Sequence, residues 1–226
     1  AVTIASGAMA GRTKITGYLI FSAVMTAFIY PVVVHMFWQG DGILNRISVG
    51  DAAFSDFAGS SIVHSAGGWA ALMGAYFLGP RIGKYRHVDG KPRAIPGHNI
   101  AFTVIGVFVL WFGWFGFNAG SELAADNAVI RVGVTTMMAA AAGGFMAGLV
   151  MWMKVGFLDV AMTANGILAG LVSITAGTGT MTPFGAVMTG AIGGVIVVFS
   201  VLFFDRIRID DPVGAVSVHG ICGVWG

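Results

Sequence analysis

The chain has 226 residues, of which 57% are hydrophobic and only 10% are charged, and its formal net charge at pH 7 is +2. Soluble domains carry about 25% charged residues, and a chain of this length needs a polar surface in water. The composition therefore excludes a soluble enzyme or a nucleic-acid-binding protein and predicts a polytopic helical membrane protein. Cys222 is the only cysteine, so no disulfide can form within the chain.

Apolar runs separated by polar breaks predict the membrane-spanning helices in chain order. A partial helix over residues 1–10 comes first, and a last helix begins near residue 212 and runs to the end of the sequence. Between them we expect full spans of about 18–25 residues, the length that crosses about 30 Å of hydrocarbon. These spans are residues 15–38, 57–79, 98–121, 128–152, 159–177 and 184–204.

Lysine and arginine are concentrated in alternate breaks. The breaks 11–14, 79–93 and 205–208, together with Lys154, carry ten of the twelve basic residues, and the other breaks hold only Arg46 and Arg131. The positive-inside rule makes the basic side cytoplasmic. The helix over 57–79 therefore runs inward from the outside, and the helix beginning near 212 runs outward.

Glycine is abundant, with 35 residues, and several glycines are spaced four residues apart. Such pairs let helix backbones approach closely within a membrane. We therefore expect packing positions in a compact bundle at the pairs Gly116/Gly120, Gly144/Gly148, Gly166/Gly170 and Gly190/Gly194.

Two stretches that lie 155 residues apart share one pattern of residue types. The first contains Asp56, Gly59, Val63, His64 and Gly68, and the second contains Asp211, Gly214, Val218, His219 and Gly223. Since one copy enters the membrane from each side, the copies are inverted, as in transport folds with sites near the bilayer midplane. Each histidine lies about 12 Å along a helix from its aspartate, so the two histidines are predicted to meet near the middle.

The repeated aspartates and histidines have different predicted roles. Asp56 and Asp211 fall at helix N-termini, where a carboxylate caps free N–H groups. Ionisable residues within a membrane normally face a bundle interior or a conduction path, and adjacent imidazoles can share a proton. The pairing of His64 with His219 therefore indicates a proton relay or a lining for a small polar solute. The alternative is a packed pair with a purely structural role. The other histidines are weaker candidates: His87 and His98 beside the basic segment, and His35, expected to be a structural partner.

The stretch WFGWFGFNAGS lies towards the outer end of its predicted helix. Trp114, Phe117 and Ser121 share one side of a regular helix, and Trp38 ends another outward-running helix at the same level. Aromatic faces beside a hydroxyl favour a site for a small, partly dehydrated cation, and Asp56 adds negative potential there. If Asp56 is buried and capping, its role is indirect. An ordinary aromatic belt is the alternative.

Three segments resemble the Amt/Mep/Rhesus ammonium transporter family, namely DFAGSSIVHSAGGWAALMGAYFLGPR, WFGFNAGS and DDPVGAVSVHGICGVWG. The likeness covers the whole chain in order and is greater to the ammonium transporter branch than to the Rhesus branch. It implies an all-α inverted-repeat bundle, with eleven helices in the full protein, that assembles as a homotrimer in the plasma membrane and has no cofactor. Residues 1–226 would form part of a single transmembrane domain, with 1–79 the end of the first repeat and 98–226 most of the second.

The resemblance also implies roles for single residues. His64 and His219 match the twin pore histidines of the family, and Trp38 and Ser121 match its external ammonium recruitment site. Phe117 matches one of two stacked phenylalanines that gate the pore below that site. Asp56 matches an essential aspartate of the family beside that site and is counted with the substrate-binding residues, although its effect is expected mainly through structure and electrostatics. The remaining positions, expected to support the site, are Trp114, Asn118 and Asp211.

The function expected from these matches is selective ammonium uptake. Ammonium would bind at the outer mouth and lose a proton, because a low-dielectric pore disfavours the bare cation, and ammonia would then pass the histidines, which can relay the proton. The alternatives are a membrane ammonium sensor and a Rhesus-like neutral gas channel. An enzyme is not expected, since no nucleophile is paired with a histidine and no metal-ligand cluster is visible.

We also expect the chain to be a fragment. The family's first two helices, the start of the third, the end of the tenth, the eleventh and the cytoplasmic tail have no counterpart in it. A PII-type regulator or a fused signalling domain would act through those parts.

Overall fold

Eight helices account for most of the chain, and the computed structural model describes all of residues 1–226. In order they are α1 (Val2–Met9), α2 (Ile15–His35), α3 (Ser60–Ser65 continued by Ala66–Leu78), α4 (Ile100–Glu122), α5 (Asn127–Val155), α6 (Val160–Ile174), α7 (Pro183–Arg206) and α8 (Val216–Trp225). A short antiparallel hairpin, β1 (Ser48–Val49) with β2 (Ala52–Ala53), lies between α2 and α3 and pairs Ser48 with Ala53. The helices α2, α4, α5 and α7 are long and apolar enough to span a membrane, which confirms the predicted polytopic helical class.

Local capping explains why the helix boundaries fall close to the predicted ones. The side chains of four residues accept a backbone N–H at the starts of α4 to α7, respectively Asn99, Asp126, Asp159 and Thr182. Gly79 and Gly156 follow α3 and α5 with φ of 70° and 82°. Residues with a Cβ rarely adopt that conformation, so these glycines end their helices.

Four helices contain a π-helical turn, which the sequence periodicity did not predict. The turns are Met25–Ile29 in α2, Ser60–Ser65 at the start of α3, Phe115–Ala119 near the end of α4, and Val216–Ile221 at the start of α8. A π turn inserts one residue into the helical repeat and is frequent at functional sites. Three of the four turns carry a predicted site residue, namely His64, Phe117 or His219.

Small residues bring α5, α6 and α7 together. A methyl group added at Gly144/Gly148, Gly166/Gly170 or Gly190/Gly194 would contact atoms of a neighbouring helix, so these three pairs are packing positions, as predicted. The prediction is wrong for Gly116/Gly120, where no atom lies within 4 Å of the added methyl group. The reason is that α4 is mostly exposed in this chain, and this pair faces away from the other helices.

The basic breaks lie together at one end of the bundle, here called the inner end. The Nε atom of Arg81 lies 2.8 Å from Oδ2 of Asp210, and the Nζ atom of Lys84 lies 2.8 Å from Oδ1 of Asp205. The Nε atom of Arg12 donates to the carbonyl oxygen of Gly79 at 2.6 Å. These contacts join the breaks after α1, α3 and α7, as the predicted alternation of sides requires.

Candidate functional site

The N-terminus of α3 is organised around Asp56. Its Oδ1 accepts the N–H groups of Gly59 and Ser60 at 2.7 and 2.9 Å, and its Oδ2 accepts those of Ser61 and Ile62 at 2.8 and 2.9 Å. One carboxylate therefore satisfies four N–H groups that a helix start leaves free, and its charge suits the helix dipole. Asp56 is only 1% exposed, so direct contact with an external cation does not fit this geometry. The arrangement matches the indirect role foreseen for a buried, capping aspartate.

The start of α8 repeats this turn. Oδ2 of Asp211 accepts the N–H of Val216 at 2.7 Å, whereas its Oδ1 is buried without a partner. Gly59 and Gly214, each three residues after its aspartate, have φ of 114° and 75°. Only glycine adopts such backbone readily, and this explains why the spacing from aspartate to glycine recurs in both copies.

The two histidines of the repeat meet between α3 and α8, as the repeat predicted. Their Nδ1 atoms are 3.1 Å apart, and their rings are stacked with centroids 5.1 Å apart and an angle of 22° between planes. His64 is 4% exposed, and its Nε2 is buried without a partner. In this hydrogen bond the Nδ1–H group of one imidazole is the donor and the Nδ1 atom of the other is the acceptor.

Glycine makes this meeting possible through two equivalent contacts. Gly68 lies against the backbone of Gly220, and Gly223 lies against the backbone of Ser65. In the 155-residue repeat, Gly68 is equivalent to Gly223, and Ser65 is equivalent to Gly220. The two contacts are therefore symmetric copies of each other. A side chain at Gly68 or Gly223 would force α3 and α8, and hence the two imidazoles, apart.

Aromatic rings cover His64. The ring of Trp114 stacks on it with centroids 4.9 Å apart and planes 13° apart, and the ring of Phe117 lies 5.2 Å away. Nε1 of Trp114 donates to Oγ1 of Thr175 at 3.0 Å. Sequence reasoning placed Trp114 on one helix face with Phe117 and Ser121 and gave it a supporting role. It missed Thr175, whose only sequence signal is a hydroxyl residue at the end of an apolar run.

Each of the other predicted site residues is held by a hydrogen bond of its own. Nε1 of Trp38 donates to the carbonyl oxygen of Asp56 at 3.0 Å, which holds Trp38 over the start of α3. Ser121, at the end of α4, donates its hydroxyl to the carbonyl oxygen of Phe117 at 2.7 Å. Asn118 is fully buried and donates from Nδ2 to Oγ1 of Thr136 at 3.0 Å, so it anchors the π turn to α5.

The remaining histidines and acidic groups form no comparable site. Nδ1 of His35 lies 2.7 Å from the carbonyl oxygen of Pro31 on its own helix, in agreement with a structural role. No group of three or more His, Cys, Asp or Glu side chains is placed to hold a metal ion.

The fold and this site define a multi-pass helical membrane protein in which two similar helix starts meet at paired histidines. The Ammonium Transporter Family matches residues 1–226, and the chain belongs to that family. It is 47% identical over 234 residues to the ammonium transporter Amt2 of Archaeoglobus fulgidus, a match that covers 100% of this chain and 49% of that protein.

Two solved structures show the same fold. A structure named Sensor Amt Protein has a TM-score of 0.93 at 38% identity, with coverage of 99% of this chain and 56% of that one. Mep2 of Candida albicans has a TM-score of 0.88 at 30% identity, with coverage of 99% and 48%. The chain spans about half the length of the curated relatives that it matches.

Proposed function

We propose that the complete protein is a transporter of ammonium across the plasma membrane and not an enzyme. The observation that carries this proposal is the 3.1 Å contact between Nδ1 of His64 and Nδ1 of His219, beneath the rings of Trp114 and Phe117. The relatives named as ammonium transporters support the choice of substrate.

Recruitment is the first step of the proposed mechanism. Trp38, Phe117 and Ser121 bind the ammonium cation at the outer mouth, where aromatic faces attract a partly dehydrated cation. Asp56 contributes indirectly, because its buried charge holds the start of α3 and the carbonyl that positions Trp38. Phe117 stands between this mouth and His64 and acts as a gate.

Deprotonation follows, because an unpaired cation is costly in a dry passage. Ammonium releases one proton and becomes ammonia, and ammonia passes along the imidazoles. The Nε2 atom of His64, buried and without a protein partner, is free to bond to the solute. The proton moves separately through the histidine pair, since one ring can accept a proton while the other donates one.

The proposal extends to the organisation of the full protein. Residues 1–79 form the end of one inverted repeat and residues 98–226 most of the second, within one transmembrane domain. The symmetric contacts of Gly68 and Gly223 support this division. We further propose a homotrimer of eleven-helix protomers, regulated by a PII-type protein or a fused signalling domain through segments beyond this chain.

An ammonium sensor is the second candidate. A structure named Sensor Amt Protein shares this fold with a TM-score of 0.93, but this alternative is not better supported than transport, since the relative at 47% identity is named an ammonium transporter. In that case the same residues bind ammonium, and the output is a conformational change in place of flux.

Current measurement on supported membranes containing the full-length protein tests both candidates. A transporter gives currents with ammonium and methylammonium pulses, a neutral gas channel gives flux into liposomes without current, and a sensor gives neither. The double variant His64→Ala/His219→Ala should lower the flux or change its ion selectivity, while His87→Ala, in the exposed basic loop, should behave as wild type. Unchanged flux and selectivity in the double variant would refute the histidine pathway.

A further inference from the structure

The turn between α7 and α8, residues 207–215, is held by buried charge at the inner end. The carboxylate of Asp210, whose side chain is fully buried, accepts three bonds from Arg81: from the backbone N–H and from Nε, both at 2.8 Å, and from Nη2 at 2.9 Å. The last turn of α7 is held in the same way by Lys84, which lies 2.8 Å from Asp205. The loop after α3 is thus bonded both to the end of α7 and to the turn that leads into α8.

A third cation, Arg12, bonds to the same segment. Nη2 of Arg12 donates to the carbonyl oxygen of Asp210 at 2.7 Å, and its Nε donates to Gly79. Arg208, within the turn, has a positive φ of 64°. A residue with a side chain keeps such backbone only where surrounding contacts hold it, so the segment has a defined shape that its contacts impose.

This segment leads directly into the start of α8. Asp210 precedes Asp211, whose carboxylate accepts the N–H of Val216 in the first turn of the helix, and His219 lies one turn further on. At the outer copy the position equivalent to Asp210 is Ser55, which has no carboxylate, and the carbonyl of the next residue, Asp56, accepts a bond from the neutral ring of Trp38. Only the inner copy depends on an ion pair.

We propose that Arg81 is a positioning residue for the inner half of the transport path: by holding Asp210 it fixes the capped start of α8 and therefore the place of His219. The inference rests on the proposed function of His219 in transport. If Arg81 is lost, Asp210 becomes a buried carboxylate without its cation, which is unfavourable enough to open the turn to water. The start of α8 then loses its fixed position, while the outer mouth is unaffected.

The test uses the full-length protein in liposomes and three variants. Arg81→Gln should lower the maximal rate of methylammonium uptake about tenfold, since an error of about 1 Å in a functional group can cost up to about a hundredfold. The KM should stay unchanged because the outer mouth is intact. Arg81→Lys should fall between Arg81→Gln and wild type, since lysine keeps the charge but cannot form the two-pronged bond. Arg86→Gln, in the same loop and paired only with Asp89, should match wild type.

A second measurement reads the position of α8 without transport. Cys222 lies one turn beyond His219 and is fully buried, so the rate at which N-ethylmaleimide modifies its peptide, followed by mass spectrometry, reports opening of α8. Arg81→Gln should react faster than wild type and Arg86→Gln should not.

Wild-type transport and labelling in Arg81→Gln, or equal losses in Arg86→Gln, would overturn the proposal. If Arg81→Gln does not assemble, Arg81→Lys decides by the same two readouts. Absence of flux in the wild type would refute the proposed function, and the labelling would still decide the role of Arg81.

Discussion

The substitution Gly68→Ala tests the closest approach between the two repeated helices. The added methyl group would lie 2.7 Å from the carbonyl carbon of His219 and nearer still to the backbone of Gly220. Carbon atoms settle at about 3.5–4.0 Å, so relief of the shortest contact requires α3 and α8 to separate by about 1–2 Å. The contact between His64 and His219, now 3.1 Å, would lengthen by a similar amount and leave hydrogen-bonding range.

The expected cost follows from the same contact. Overpacking of this kind costs about 1–3 kcal/mol, offset by up to about 1 kcal/mol because alanine favours a helix over glycine. Gly74→Ala in the same helix is the matched control. Its methyl group meets Cγ and Sδ of Met9 at 2.7 Å, and a flexible methionine can move aside. Both variants gain the same helix propensity, so their difference isolates the backbone contact.

Thermal unfolding in detergent and ammonium flux in liposomes measure the two consequences. Gly68→Ala should unfold at lower temperature than Gly74→Ala and carry less ammonium, while Gly74→Ala should remain close to wild type. If Gly68→Ala were as stable and as active as Gly74→Ala, the close approach of α3 and α8 would not set the histidine contact, and the reasoning would fail.

Three further perturbations have defined outcomes. Asp56→Asn leaves two of the four capped N–H groups without an acceptor at about 1–3 kcal/mol each, so its melting temperature should fall; an unchanged value would contradict the cap. Thr175→Val removes the acceptor for Trp114 and should slow transport and alter the near-ultraviolet circular dichroism, whereas Thr175→Ser should preserve both; identical spectra for all three proteins would argue against this bond. Burial by itself raises the pKa of Asp210, but the bonds from Arg81 outweigh it and hold that pKa below its usual 3.8. The stability advantage over Asp210→Asn should therefore be present at neutral pH and disappear as the pH falls through the lowered pKa; an advantage that persisted below that pKa would contradict the ion pair.

The spans and the position of each histidine along its helix were predictable because they depend on local properties. A chain in lipid must satisfy its backbone groups within helices, so runs of apolar residues locate the helices and polar breaks locate their ends. The equal spacing from Asp56 to His64 and from Asp211 to His219 gives both histidines the same depth from opposite faces. Their equal depth therefore follows from these two spacings, which can be read along the chain, and the packing of α3 against α8 then brings the two rings into contact.

The surroundings of the histidines were not predictable in the same way. A regular helix aligns Trp114, Phe117 and Ser121, but the π turn Phe115–Ala119 changes the rotation of the residues after it. The stacking of Trp114 on His64 and the exposure of Gly116 both depend on how α4 is rotated. That rotation is set partly by the bond between Asn118 and Thr136, whose partners lie 18 residues apart.

Hydropathy, charge placement and residue spacing thus settle the helical class, the order of the spans, the breaks that share one end of the bundle and the position of each paired histidine along its helix. Contacts between distant segments settle the rest: the burial of Asp56 behind four N–H groups, the stacking of Trp114 and the ion pair of Arg81 with Asp210. The physical reason is that depth in a membrane is measured along one helix. Rotation and closeness are properties of two helices, and they appear only when the folded chain brings both together.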